Sequence, residues 1–397
     1  MSSDEIYLAL LEIFILVTAA QSIKIVMGKA RIPSLFGELL TGLILGPYAL
    51  GTIINSITGL QIFTFNNYLT LFSEFAVILL IFAAGLEHGF KSLRSSGVSA
   101  FLSASMGAAL PFLGVYLYSS RYFPFNTALL MGAASAATSL AAVASLIEGG
   151  KLETERYIKI LLSAAAIDDV VAFIILSVSL SLISDNQLSA LAVFRTSLLV
   201  LLSWLIILFF SVLIIPRIIS LVSDSLVIDV SLLVLFVLVT VMISLGFSPV
   251  IAAFIAGVSI SESRKAERIR GMVRTLLGVF GSIFFITIGA ETNVFTFVSP
   301  VVLLQGIIIT LIAITMKFLG VIPFNYLYTK DVRRSIAASL GMIPRGEMGL
   351  VISSIAFSSG IFSQTELSEV VLMSLLTTVV GGTLFDRMNK KILISKN

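Results

Sequence analysis

Five ionisable residues interrupt otherwise apolar stretches of the chain: Asp168 and Asp169 within Ala164-Ala165-Ala166-Ile167-Asp168-Asp169-Val170-Val171, then Lys317, Arg345 and Glu347. If these stretches cross a bilayer, each charge costs several kcal/mol and requires a partner or a water-filled cavity. Two adjacent carboxylates set against one lysine leave a surplus negative charge that structural pairing alone does not account for. Neighbouring helix positions point about 100° apart, so the two aspartates face different targets, one able to meet Lys317 and the other a cavity. Desolvation favours a neutral carboxyl and a nearby ammonium favours an ionised one. Carboxylates poised between these effects can trade a proton for a small hard cation such as Na⁺, the minimum chemistry of antiport. For Arg345 with Glu347 the plainer expectation is a structural ion pair.

Two breaks in apolar stretches would position these groups. One is the run of small and hydroxylated residues Gly132-Ala133-Ala134-Ser135-Ala136-Ala137-Thr138-Ser139, which serves close helix packing equally well. The other is Gly341-Met342-Ile343-Pro344-Arg345-Gly346, which combines a proline with glycines. Irregular backbone at membrane depth is tolerated only where it lines a cavity or is buried in protein. Interrupted helices at corresponding places in two halves point to an inverted repeat with its site between them.

Composition supports the membrane premise. Of 397 residues, 58% are apolar and 12% charged, whereas soluble domains carry about 25% charged residues. This excludes extended solvated faces and a nucleic-acid partner, and the net charge of +3 reports topology instead. There is no cysteine and one histidine, His88, so disulfides, thiolate nucleophiles and histidine-rich metal sites are excluded. No enzymatic constellation is visible. Intramembrane proteolysis would need aspartates on separate helices, usually with a GxGD motif, and none occurs. A cation channel or sensor without proton coupling remains a rival of a different class.

Apolar runs near Ile6–Ile23, Ser34–Leu50, Asn67–Leu86, Val98–Tyr118, Phe125–Ile147, Tyr157–Ile183, Leu191–Ile214, Leu226–Leu245, Pro249–Ser261, Met272–Ala290, Val298–Leu327, Ile336–Phe357 and Leu367–Phe385 predict thirteen spans. At about 20 residues each they use roughly 260 residues, leaving no room for a large soluble domain. The acidic start, Met1 to Glu5, predicts a retained first helix rather than a secretory signal. Cytoplasmic loops retain Lys and Arg. With the N-terminus outside, alternate loops carry Lys29 and Arg31; Lys91 and Arg94; Lys151, Arg156 and Lys159; Arg217; Arg264 to Arg274; Lys330 to Arg334; and Arg387 to Lys396. The opposite loops hold only Arg121 and Arg195, which places the C-terminus in the cytoplasm. Among weaker features, Gly42-Leu43-Ile44-Leu45-Gly46 is a helix-packing pattern. His88 has the chemistry of a pH sensor, although an interfacial histidine without a role is the plainer reading. Glu12, Glu38 and Glu74 are expected at wet span ends.

In order and spacing, Ile32-Pro33-Ser34, Gly37-Glu38-Leu39, Gly42-Leu43-Ile44-Leu45-Gly46-Pro47, Ile81-Phe82-Ala83-Ala84-Gly85-Leu86-Glu87, Phe284-Phe285 with Ile288-Gly289, and Pro344-Arg345-Gly346-Glu347 resemble the second monovalent cation:proton antiporter family, its NapA-type Na⁺/H⁺ group. The resemblance covers nearly the whole chain. It implies an all-α integral membrane protein with two discontinuous helices crossing near the bilayer midplane, working as a homodimer in the cell membrane for pH homeostasis. It further implies a dimerisation domain from residues 1–90 and 221–295, a linker helix at 186–220, and a core domain from 91–185 and 296–397 that slides in elevator fashion. Asp168-Asp169 matches the paired aspartates of the electrogenic Na⁺-selective members, and Lys317 matches their membrane lysine. Kef-type K⁺ members usually have a glutamine before the aspartate and a C-terminal nucleotide-binding domain. Here that position is Asp168, and no GxGxxG follows Phe385. The expectation is Na⁺ (or Li⁺) exchanged for H⁺, with no cofactor and with K⁺/H⁺ exchange as the alternative. Asp169 is the main exchanging carboxylate and Asp168 pairs with Lys317 in the cation-free state. Thr138 completes the cation shell, while Ser135, Ser139, Pro344, Arg345 and Glu347 support the interrupted helices.

Overall fold

The computed structural model describes residues 3–29, 34–87, 97–139, 156–185, 190–244 and 248–394. His88, Lys91, Arg94, Lys151, Arg31 and the Ile32-Pro33 pair lie outside the described residues. Within them the chain forms α1 (Ser3–Lys29), α2 (Ser34–Leu45), α3 (Leu50–Thr58), α4 (Asn67–Glu87), α5 (Gly97–Ser119), α6 (Phe125–Ala136), α7 (Arg156–Asp185) and α8 (Ala190–Leu221). There follow α9 (Val227–Ser244), α10 (Pro249–Ser261), α11 (Ala266–Glu291), a 3₁₀ turn (Val294–Val298), α12 (Pro300–Thr329), α13 (Val332–Gly341), α14 (Glu347–Ser358) and α15 (Gln364–Ile394). Helix is the expected solution, because a bilayer offers no water to unpaired backbone groups and a helix satisfies them within itself.

Among the described residues nine helices are long and apolar enough to cross a membrane. A tenth span arises if α2 and α3, bent by 46° at Gly46-Pro47-Tyr48-Ala49, count as one. The remaining expected spans are the short α10 and the two carrying the predicted breaks. Large apolar side chains such as Leu205, Ile206, Phe209 and Phe210 on α8 face outward, as lipid contact requires.

The helices pack in two groups. Helices α2, α4, α10 and α11 pack on one another, with α1 and α9 at their edges. Helices α5, α6, α7, α12, α13, α14 and α15 form the second group, and α8 touches both through α7 and α10. Glycines set the closest approaches in the first group. A Cβ on Gly42 would lie 1.9 Å from Ile286 O, and one on Gly289 2.1 Å from Leu39 O, where α2 crosses α11. Where α4 crosses α10, a Cβ on Gly85 would lie 2.4 Å from Phe254 O and one on Gly257 2.2 Å from Phe82 O. The Gly42 pattern is therefore a packing device, because small residues let helix backbones touch without a hydrophobic drive from the lipid.

Two acidic side chains expected at wet span ends are instead buried. Glu12 is 1% exposed and accepts hydrogen bonds from Asn66 Nδ2 (2.5 Å) and the Thr64 N–H (3.3 Å). Glu38 is 4% exposed, accepts from Ser282 Oγ at 2.7 Å, and lies 3.7 Å from Lys24 Nζ. The reason is that α1 and α2 pack against other protein there, so hydrogen bonds replace water. Glu74 is exposed as expected.

Further contacts tie the helix ends together. Lys265, before α11, reaches Asp224, before α9, at 2.6 Å. Its hydrogen bond and then its charge hold the Asp224 carboxyl below the ordinary aspartate range. Arg270 Nε donates to Leu86 O, the Arg156 guanidinium lies over the Tyr328 ring, and Tyr157 donates to Asn389. At the other end Gln364 bonds to Tyr48, Glu291 O and the Asn293 N–H.

Candidate functional site

The site forms where two helices stop short. Helix α6 ends at Ala136, and Ala137 continues with extended backbone (ψ 154°) into Thr138 and Ser139. Helix α13 ends at Gly341, and the chain runs without helix to Gly346 before α14 opens at Glu347. Proline explains the second interruption, since Pro344 has no N–H to donate and disfavours helix in the residue before it. The two segments are tied together. The Ser139 N–H donates to Pro344 O at 2.8 Å, and Thr138 Oγ1 donates to Met342 O at 3.0 Å. Space for this crossing comes from Gly346, whose Cβ, if present, would lie 2.8 Å from Ser139 Oγ.

Ending helices here exposes carbonyls that no helix satisfies, and the partial negative charge of a helix C-terminus attracts cations. Both membrane cations sit there. Lys317 Nζ, from α12, donates to Ala136 O at 2.9 Å. Arg345 spreads its fork over three segments, with Nε to Ser135 O (2.5 Å), one terminal nitrogen to Ala313 O (3.2 Å) and the other to Ile343 O (3.2 Å). Its own backbone is held by α15: Thr377 Oγ1 accepts from the Arg345 N–H at 3.3 Å, and Thr378 Oγ1 donates to Arg345 O at 2.6 Å.

Asp168, on α7, completes the centre. Lys317 Nζ lies 2.7 Å from Asp168 Oδ1 and 2.9 Å from Oδ2, and the Thr138 N–H donates to Oδ2 at 2.6 Å. Both side chains are 0% exposed. Three hydrogen bonds, two from the lysine and one from the Thr138 N–H, thus converge on one carboxylate in a contact sealed from water. Asp169 is 5% exposed and lies within electrostatic reach of the same ammonium. Gly107 on α5 makes room for the lysine, since a Cβ there would lie 2.7 Å from Val321 Cγ2 and 3.6 Å from Lys317 Cε.

The structure thus brings Asp168, Asp169, Lys317, Thr138, Ser135, Ser139, Pro344 and Arg345 to one crossing. The expected Arg345–Glu347 ion pair does not form. Arg345 is spent on carbonyls, and Glu347, at the first position of α14, accepts from Ser139 Oγ at 2.6 Å. The physical reason is position: Glu347 sits at the positive N-terminus of one helix and Arg345 at the negative C-terminus of another. Thr377 and Thr378 were not visible as site residues in the sequence, because a hydroxyl in an apolar span carries no signal of its target. Outside the crossing, the burial of Glu369 was also missed, although an ionisable residue inside the Leu367–Phe385 run was a signal of it.

Comparison with known proteins follows the same line. A Na⁺/H⁺ antiporter of Enterococcus hirae is 28% identical over 371 residues, spanning 91% of this chain and 93% of that protein. The Na⁺/H⁺-K⁺ antiporter GerN of Bacillus cereus is 29% identical over 353 residues, 88% of each. The solved structure of the sodium proton antiporter MjNhaP1 of Methanocaldococcus jannaschii superimposes with a TM-score of 0.69 at 16% identity, covering 98% of this chain and 99% of that one. That likeness establishes the antiporter fold. The family described as sodium/hydrogen exchanger, transmembrane, matches residues 13–391, and with helices, breaks and buried charges arranged as above, the chain belongs to that family of multi-pass membrane antiporters.

Proposed function

We propose that this protein exchanges Na⁺, and also Li⁺, for protons across the cell membrane, electrogenically, with Asp169 as the exchanging carboxylate. The observation that carries the reading is the sealed Asp168–Lys317 pair at the crossing of two interrupted helices. Na⁺ entering the site competes with the ammonium for Asp168. Freed in a low-dielectric site, the lysine sheds its proton while Asp169 sheds another, so two protons leave for one cation and net charge moves. Among the described residues no cluster of three or more acidic or histidine side chains forms. A Na⁺ shell of oxygens is then completed by Thr138 and by carbonyls near the breaks.

Transport follows an elevator movement of the second helix group, a core domain of residues 91–185 and 296–397, against a dimerisation domain of 1–90 and 221–295 in a homodimer, with 186–220 as linker. An inverted repeat is supported by paired features: two interrupted helices, and two glycine-on-glycine crossings, α2 on α11 and α10 on α4. Thirteen spans with the N-terminus outside and the C-terminus in the cytoplasm agree with two contacts, since Lys265–Asp224 joins two loops, and Tyr157–Asn389 two helix ends, that the basic residues assign to one side.

K⁺/H⁺ exchange is the second reading, favoured by the similarity to GerN, a Na⁺/H⁺-K⁺ antiporter. The discriminating experiment is a proteoliposome assay in which Na⁺, Li⁺ or K⁺ is added against an imposed pH gradient. Dissipation by Na⁺ and Li⁺ but not K⁺ supports the first reading, K⁺-driven dissipation the second, and ion currents without proton movement neither.

A further inference from the structure

One buried acid takes no part in the crossing. Glu369 lies on α15, five residues from its start, with no exposed surface. Neither carboxyl oxygen has a hydrogen-bond partner among the described residues. Its neighbourhood is apolar and tight: Val370 and Met373 pack with Val115, Leu130 and Ile309, and a Cβ on Gly306 of α12 would lie 3.7 Å from the Glu369 Cα.

Among the described residues no cation on the packed elements faces it. Tyr118 of α5 is within electrostatic reach, with Tyr122 beyond it, and Glu366 is on the same helix with its carboxylate on Ser363. The ionisable residue of α12 nearest Gly306 is Lys317, eleven residues along and so about 16 Å away, engaged by Asp168. On α14 the only ionisable group is Glu347, at the far end and bonded to Ser139. On α13 Arg333 and Arg334 lie at the first turn, with Asp331 just before it, near the end of α12 opposite Gly306. Helix α6 and the 3₁₀ turn carry no ionisable side chain. An ionised carboxylate with neither counter-charge nor donor is not tolerated in such a site, whereas a neutral carboxyl is.

We propose that Glu369 is a proton-binding site separate from Asp168 and Asp169, which holds its proton while the N-terminal end of α15 is packed and loses it only when that end opens to water. The bound proton then acts as a lock. As pH rises, ionisation penalises the packed state and loosens α15 from α5 and α12, which slows transport on the alkaline side. Only this effect on transport rests on the antiport reading; the protonation itself does not.

The test begins on purified full-length protein in detergent, without transport. Infrared difference spectra at neutral pH should contain the carbonyl stretch of a protonated carboxyl that is lost in E369Q. The thermal midpoint of wild type should fall between neutral and alkaline pH, and the fall should be smaller in E369Q and in E369M, a second variant of similar size that also cannot ionise. In proteoliposomes E369Q should match wild type at neutral pH and retain rate where wild type declines. A neutral-pH spectrum unchanged by E369Q overturns the proposal, and so does an identical alkaline fall in all three proteins. If the spectral and thermal results hold but no variant or wild type transports, the antiport reading fails instead.

Discussion

At the level of single residues, Lys317 shares its ammonium between Asp168 and Ala136 O. Replacing it by Gln removes one proton carrier but leaves two carboxylates. Lys317→Gln should therefore retain exchange while losing its response to a membrane voltage imposed with K⁺ and valinomycin. It should also unfold at lower temperature, because breaking one side of a buried pair costs about 3–5 kcal/mol. Equal voltage responses in variant and wild type would make the lysine structural. Arg345→Lys tests the second cation. A planar fork reaches three carbonyls at once and a single ammonium on a flexible stem does not, so leaving Ser135 O or Ile343 O orphaned costs about 1–3 kcal/mol and the thermal midpoint should drop even though charge is kept. That one of the two aspartates meets Lys317 was legible because a buried charge requires an opposite one and few were on offer; that it is Asp168 came from the family resemblance. The partner of Arg345 was not legible: two residues from Glu347 in sequence, it lies across a helix boundary whose carbonyls outcompete the acid. Glu12 and Glu38 were misread for a related reason, since their hydrogen-bond partners Asn66 and Ser282 are remote in sequence.

At the scale of elements, the break between α13 and α14 was readable from Pro344 and its flanking glycines. The run from Gly132 to Ser139 carried two readings, and each holds for different residues. Gly132 is a packing residue, where a Cβ would meet Phe112 O at 2.8 Å, while Ala137, Thr138 and Ser139 are the extended segment. Composition alone does not divide such a run, because the position where helix stops is set by what the freed carbonyls find, here Lys317 and Arg345. The crossing of α5 on α12 depends on Gly107. Gly107→Val places branched carbons against Val321 and the lysine stem, an overpacking that costs about 1–3 kcal/mol. We expect a lower thermal midpoint together with a raised KM for Na⁺ in proteoliposomes, because the lysine is pushed off its position beside Asp168; an unchanged KM would detach this contact from cation binding.

At the scale of the whole molecule, helix packing brings together segments that the basic residues were expected to place on one side. Tags at the two ends should be digested from opposite sides of the membrane, the N-terminal one from outside and the C-terminal one only from the cytoplasm. Protection of both from the same side would overturn the odd span count and the repeat built on it. In the proposed exchange Asp169 carries the proton that Na⁺ displaces. The most direct test is proton movement in liposomes on Na⁺ addition, with wild type and Asp169→Asn reconstituted at equal density and both verified as folded by thermal unfolding. An amide neither carries the exchanged proton nor offers a full negative charge to a dehydrated cation. Wild type should dissipate the imposed pH gradient and Asp169→Asn should leave it at the level of empty liposomes for every cation; comparable Na⁺-driven proton movement by the variant would remove Asp169 from the exchange.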